Sequence, residues 1–91
     1  MNSADNATVF QWEGDLNDDC SAWHERLLLR AEQMDEEYWW WAVSEGVQPN
    51  RFKEIASSND DGAPTCKNGP EARASAEAVA RHYLETKKRP E

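Results

Sequence analysis

The chain has 91 residues and a net charge of −8, with eighteen Asp and Glu against ten Lys and Arg. A chain of this length is expected to fold as one small domain, residues 1–91, with a single modest core. Its excess of negative charge repels phosphate, which argues against direct binding of nucleic acid or of an anionic membrane.

The negative charge is concentrated in the first two thirds of the chain. Residues 1–61 hold fourteen acidic residues against four basic ones, whereas residues 62–91 hold four against six. No apolar run approaches the roughly 18 residues that cross a bilayer, and two cysteines are too few for a secreted disulfide framework. We therefore expect a cytoplasmic protein whose charge suits a protein partner with a basic surface.

The first predicted element is a short strand at residues 8–12, which follows a tail at 1–7 that we expect to be frayed. Glu13-Gly14-Asp15 ends this strand. The acidic segment that follows, residues 15–19, has the composition of a loop.

Residues 20–34 are compatible with two structures. Their composition favours a helix, in which one face would carry Trp23, Leu27, Ala31 and Met34. Their alternation favours a strand at 27–34 followed by a tight turn at Asp35-Glu36. We favour the strand, because the aromatic segment that comes next needs a neighbour to pair with.

Three consecutive tryptophans dominate the next segment, Tyr38-Trp39-Trp40-Trp41-Ala42-Val43. Aromatic and β-branched residues favour a strand, and successive side chains of a strand point to opposite faces. Both faces of this strand are therefore apolar, which is typical of a central strand. Because the chain has too few other elements to cover both faces, the surplus apolar surface indicates a partner.

The second half of the chain is predicted to add one strand and one helix. A turn at residues 46–50 precedes a strand at 51–57, and residues 58–69 form a loop. The helix is expected at 71–87, with residues 87–91 frayed, and its inner stripe consists of Ala72, Ala76, Val79, Ala80, Tyr83 and Leu84. The predicted fold is α+β, an antiparallel sheet of three to four strands with one C-terminal helix packed on one face.

Three motifs follow one another in the chain, Trp39-x-Trp41, Ile55-Ala56-Ser57-Ser58 and Gly69-Pro70-Glu71-Ala72-Arg73-Ala74-Ser75-Ala76-Glu77. Their order resembles the small β-β-β-α domains of the YegP type. The resemblance implies a sheet covered by one helix and implies no reaction. The chain departs from that family in lacking an Asn-Gly turn before the Ile-Ala-Ser strand and in having one unit where the family often has two. In composition alone, the chain is also similar to small acidic phage inhibitors such as anti-CRISPR proteins.

The residues that carry chemistry form no standard site in the sequence. Asp15-x-Asn17-x-Asp19-x-Ser21 copies the opening of a calcium-binding loop, but Cys20 replaces the required glycine and Arg26 replaces the bidentate glutamate. The chain has two cysteines and two histidines, which are Cys20, His24, Cys66 and His82. Their spacing is not that of a zinc site. We predict no enzyme activity, no metal and no cofactor.

We predict instead a non-enzymatic, acidic protein-binding module, in which acidic loops and a tryptophan face contact the partner. Such a module could inhibit a basic nucleic-acid-handling protein by mimicking DNA. The alternative is a structural accessory domain that forms a homodimer through its aromatic sheet face. The predicted partner contacts are Asp15, Asp18, Asp19, Asp35, Glu36, Glu37, Glu45, Trp39 and Trp41.

Overall fold

The computed structural model describes residues 9–48, 51–60, 62–63 and 65–88, and within them the chain forms five strands and one helix. The strands follow one another as an antiparallel meander, and each strand pairs with the next along the chain. This arrangement confirms the α+β class, but the sheet has five strands rather than the predicted three to four. The elements are β1 Trp12–Asp15, β2 Asp19–His24, β3 Leu27–Asp35, β4 Tyr38–Gln48, β5 Arg51–Ser57 and α1 Gly69–Lys88.

The extra strand comes from the segment before Leu27. β2 pairs with β3, so that Cys20 lies opposite Ala31 and Ala22 opposite Leu29. The helix alternative for residues 20–34 is therefore wrong, and the predicted strand at 27–34 is confirmed by β3. Helix propensity is a weak preference, and here pairing with neighbouring strands on both sides outweighs it.

The first strand starts later than predicted. β1 begins at Trp12 and includes Glu13 and Gly14, which were expected to end a strand. Gly14 has a φ of +96°, and a Cβ at this position would lie 2.8 Å from the Asp19 carbonyl oxygen. A glycine is therefore needed to let β1 continue into the tight hairpin with β2.

The tryptophan segment is an inner strand, as expected, and its alternation divides it between the two faces of the sheet. Trp39, Trp41 and Val43 are 4%, 2% and 0% exposed and belong to the core. β4 also extends beyond the predicted limit at Val43 to Gln48, because β5 pairs along that extension. Residues 46–48, which we predicted to begin a turn at 46–50, therefore belong to the strand. β5 matches the predicted strand at 51–57.

Helix α1 covers the face of the sheet to which Trp39 and Trp41 point. It contacts β3 and β4, and it begins two residues before the predicted helix at 71–87. Small side chains allow the helix to lie close to the large indoles. The fully buried members of its inner stripe are Ala72, Ala76 and Ala80, with Leu84 5% exposed beside them.

The loop between β5 and α1 returns the chain to the sheet. Cys66 forms an isolated antiparallel bridge with Trp39, whose backbone N–H donates to the Cys66 carbonyl at 2.9 Å. The predicted tail at 1–7, residues 49–50 of the predicted turn and residues 89–91 lie outside the described residues. In the described part of the chain, no helix is long and apolar enough to cross a membrane.

Two adjacent leucines of β3 test this assignment of faces. Leu29 is fully buried, whereas Leu28 is half-buried on the opposite face. We expect Leu29→Ala to lower the free energy of unfolding by about 2–5 kcal/mol and Leu28→Ala by about 1 kcal/mol or less. Urea denaturation of the two variants measures the difference, and equal losses would contradict the register of β3.

Candidate binding surface

Two acidic turns lie side by side at one end of the sheet. In an antiparallel meander, the β1–β2 turn and the β3–β4 turn fall at the same end. The backbone N–H of Gln33 donates to the Asp18 carbonyl at 2.7 Å and ties the two hairpins together. We call the six exposed carboxylates of these turns the acidic end, which consists of Asp15, Asp18, Asp19, Asp35, Glu36 and Glu37.

Two of these carboxylates shape the turns that carry them. An Asp15 carboxylate oxygen accepts from the Asn17 backbone N–H at 2.9 Å, and an Asp35 oxygen accepts from the Glu36 backbone N–H at 2.7 Å. Such local bonds are a common structural use of aspartate in turns. Within the described ranges, none of the six carboxylates forms an ion pair.

Helix α1 contacts the β1–β2 turn through a side chain near its first turn. The guanidinium of Arg73 donates to the Leu16 carbonyl at 3.0 Å. A Cβ at Gly69 would stand 3.0 Å from the same carbonyl and 3.2 Å from the Trp39 ring, so the start of the helix lies close against the turn. Arg73 therefore supports the backbone of the acidic end.

Three carboxylates form a row across neighbouring strands. Asp15 lies opposite Asp19 in the β1–β2 pair, and Asp19 lies opposite Glu32 in the β2–β3 pair. Like charges directly opposite each other on adjacent strands are destabilising. Glu32 was not among the predicted contacts, and it has a nearby cation in Arg30, at 3.8 Å. Its place in the row depends on the strand register, which the sequence did not define.

Glu45 does not belong to the acidic end. It lies opposite Leu27, toward the other end of the sheet, and is only 8% exposed. Its carboxylate accepts a hydrogen bond of 2.5 Å from the Tyr83 hydroxyl of α1. The position of Glu45 thus differs from the exposed loop position that we predicted, because β4 continues past it.

Trp39 and Trp41 are also placed differently from the prediction that they contact a partner. Both lie on the helix-covered face with little exposed surface, whereas Trp40 points to the opposite face and is half-buried there. The guanidinium carbon of Arg30 lies 5.3 Å from the centre of the Trp40 ring, within the range of a cation–π contact.

The face of the sheet opposite the helix carries exposed aromatic side chains. Trp23 and Phe52 are 56% and 50% exposed, and their ring centres lie 5.7 Å apart at an interplanar angle of 51°. Gly46 lies opposite Phe52 on the neighbouring strand. We call this surface the aromatic face, and it consists of Trp23, Leu28, Trp40 and Phe52.

The aromatic face adjoins the acidic end. Trp40 lies opposite Glu32, the last member of the carboxylate row. Trp23 is four residues beyond Asp19 on β2, a distance of about 13 Å along a strand. Trp23 was not predicted to lie on the surface, because in the helix alternative it lies on a buried face. In a strand, its alternation with Cys20 and Ala22 places it on the opposite face of the sheet from those two residues.

The residues with catalytic or ligating chemistry lie apart from this surface. Cys20 and Cys66 are buried free thiols, and burial raises the pKa of the Cys20 thiol above its ordinary value, which disfavours a thiolate. His24 packs edge-on against Phe10 with ring centres 5.4 Å apart. The part of the chain that the structure describes has no group of three His, Cys, Asp or Glu residues able to hold a metal ion.

Comparison of the chain with protein-family models, with curated proteins and with solved structures finds no match. The resemblance to YegP-type domains accordingly stays a prediction.

The carboxylate row predicts that one charge removal stabilises the protein. We expect Asp19→Asn to raise the free energy of unfolding by about 0.2–1 kcal/mol, because it removes the repulsion of Asp19 by Asp15 and Glu32. Asp18→Asn is the matched control, since Asp18 lies in the turn outside the row. Urea denaturation at low salt measures both variants. Equal effects of the two substitutions, or a loss of stability for Asp19→Asn, would contradict the repulsion.

Proposed function

We propose that the protein is a non-enzymatic binding module that docks onto the basic surface of a partner protein through the acidic end and the aromatic face. The single observation that carries the proposal is the adjacency of these two surfaces, with the aromatic face on the side of the sheet opposite α1. The six exposed carboxylates of the acidic end attract cations over a distance of about 10 Å at moderate ionic strength. Exposed Trp23 and Phe52 supply side chains of the type that dominates binding energy at interfaces.

The two surfaces have complementary roles in this proposal. Charge at the rim of an interface mainly raises the association rate and selects basic partners. Aromatic side chains that lose contact with water mainly slow dissociation. Trp40, which lies opposite Glu32 and beneath Arg30, is the residue where the two surfaces meet.

Basic protein surfaces commonly bind the phosphates of nucleic acids. We propose that the partner is a nucleic-acid-handling protein and that this chain inhibits it by occupying its nucleic-acid site, as a DNA mimic or an anti-CRISPR protein does. The row formed by Asp15, Asp19 and Glu32 supports this idea, because adjacent strands about 4.8 Å apart bring the charges close together.

Charge reversal in the acidic end tests the proposal. The variant carries Asp18→Lys, Glu36→Lys and Glu37→Lys, whose side chains accept no hydrogen bond within the described residues. We expect capture of basic nucleic-acid-binding proteins from a lysate of the encoding organism at about 50 mM salt, and at least about tenfold less capture at about 200 mM salt. The triple variant should lose this capture at both salt concentrations.

A matched pair of single substitutions controls for the change of charge. Glu36 and Glu25 are both exposed residues of hairpin turns, but they lie at opposite ends of the sheet. Glu36→Lys should weaken capture several-fold, whereas Glu25→Lys should leave it near the wild-type level. Partners that are retained equally by wild type and triple variant, or that are indifferent to salt, would contradict the electrostatic docking.

The exposed contact between Trp23 and Phe52 favours a second candidate, in which the aromatic face forms a homodimer. This face spans four strands, about 14 Å, and extends about 20 Å along β4 from Trp40 to Gly46, which lies opposite Phe52, a footprint of roughly 300 Å². A standard interface buries about 800 Å² on each partner, and two copies with a charge of −8 each repel one another. We therefore place self-association second.

Light scattering of the purified protein separates the two candidates because salt acts on them with opposite signs. Screening weakens attraction to a basic partner but relieves repulsion between two acidic copies. We expect a monomer at both low and high salt. A dimer that strengthens with salt and dissociates in Trp23→Ser would establish the second candidate instead.

A further inference from the structure

The aromatic face and the carboxylate row form one elongated surface, apolar at one extreme and acidic at the other. Trp23 and Phe52 are 56% and 50% exposed at the apolar extreme, and Asp15 and Asp19 lie opposite each other at the acidic one. Alternation along β2 points Asp19 and Trp23 to the same face, about 13 Å apart. A partner segment that covers this surface therefore needs apolar side chains and, at a similar spacing along its axis, cations.

The backbone of this surface offers few hydrogen bonds to a partner. In the described part of the chain, β2, β3 and β4 are each paired on both sides, so their N–H and C=O groups are engaged with neighbouring strands in the plane of the sheet. An extended segment laid on the face would bury unpaired backbone groups, which costs free energy. An α-helix satisfies its own backbone groups and avoids this cost.

Addition of a partner strand at the edge of the sheet is the other way to bind a segment, and β5 is poorly suited to it. β5 lies at an edge of the described sheet, but its pairing with β4 is irregular at two places, between Val43 and Ser44 and between Gly46 and Gln48. It also carries the exposed Lys53. Irregular pairing and a lysine are features that oppose pairing at a sheet edge.

The same surface already holds one guanidinium. The guanidinium of Arg30 lies 5.3 Å from the centre of the Trp40 ring and 3.8 Å from a Glu32 carboxylate oxygen. A planar guanidinium can stack on an indole and also donate to a carboxylate. Within the described residues, Asp15 and Asp19 form no ion pair. Arginines of a partner therefore suit the acidic extreme of this surface.

We propose that the partner segment is an amphipathic α-helix that lies along the strands on this face. Its apolar residues, at i and i+4, pack over Trp23 and Phe52, and its arginines, at i+7 and i+11, lie beside Asp15 and Asp19. These positions share one face of a helix, and the last three are about 6, 10 and 16 Å along the axis from the first. The helix belongs to the basic partner described above, so its assignment rests on the proposed docking function.

Two peptides of identical composition test the proposal. Both are alanine-rich with leucine at i and i+4; the first has arginine at i+7 and i+11, and the second has arginine at i+5 and i+9, on the opposite side of the helix. In a proton–nitrogen correlation spectrum, each of the five tryptophans gives one indole N–H signal. We expect the first peptide to move the Trp23 and Trp40 signals with half-saturation at about 0.1 mM, and the second to bind at least about fivefold more weakly.

A third peptide tests whether the helix itself is needed. It is the first peptide with proline at i+5, which breaks the helix but keeps both leucines and both arginines. Its affinity should also fall at least about fivefold, because the side chains no longer share one face.

A matched pair of variants locates the contact on the protein. Trp23→Ser removes the apolar contact and should weaken the first peptide about tenfold, with binding followed by the Trp40 signal. Val9→Ser is the control, because Val9 is 71% exposed but lies before β1, outside the aromatic face. It should leave the affinity near the wild-type level.

Equal binding of the first two peptides would show attraction by charge alone and would overturn the proposal. Undiminished binding of the proline peptide, or wild-type affinity in Trp23→Ser, would overturn it as well. The docking function is decided separately, by the loss of lysate capture in the triple charge-reversal variant. If that capture behaves as expected while the first peptide moves no indole signal up to about 1 mM, the helix is refuted and the docking function stands.

Discussion

The packing of the Trp39 and Trp41 indoles against the alanine stripe of α1 is the contact on which the rest of the structure depends. It joins the inner strand β4 to the helix and closes the core, with Ala72, Ala76 and Ala80 fully buried. Because side chains alternate along a strand, this contact also decides which residues face away from the helix. A shift of β4 by one residue would turn the side chains that now face the helix to the opposite face and bring the others against the helix.

Within the described residues the single helix covers one face of the sheet, and the proposed docking surface lies on the other face. That face carries Trp23 and Phe52 in mutual contact. The meander places both acidic turns at one edge of it, so that charge and apolar surface adjoin. The carboxylate row shows that the arrangement opposes stability, since charges that repel one another lie in register. Destabilising features of this kind are more typical of a binding surface than of a purely structural one.

The elements with long, consistent patterns could be predicted from the sequence, and those that depend on pairing could not. The helix, the tryptophan strand and the strand at 51–57 each have local patterns that agree with the fold. β2 was missed because its residues also suit a helix, and the first strand was predicted at 8–12 rather than Trp12–Asp15 because Gly14 looks like a strand end. Trp39 and Trp41 were predicted as partner contacts because β4 is apolar on both faces, and its pattern alone does not tell which face the helix covers. Glu45 was expected in a loop because the predicted strand ended at Val43, whereas β4 continues to Gln48.

The accessibility of individual tryptophans in solution is the most direct test of whether α1 covers the face of the sheet that carries Trp39 and Trp41. Hydroxyl-radical footprinting with mass spectrometry measures the oxidation rate of each indole in the folded protein. We expect rapid oxidation of Trp23 and intermediate oxidation of Trp40. The rates for Trp39 and Trp41 should be at least about tenfold lower than the rate for Trp23, because Trp23 is 56% exposed whereas Trp39 and Trp41 are 4% and 2% exposed. Oxidation of Trp39 or Trp41 as fast as that of Trp23 would show that the helix does not cover that face, and would contradict the account.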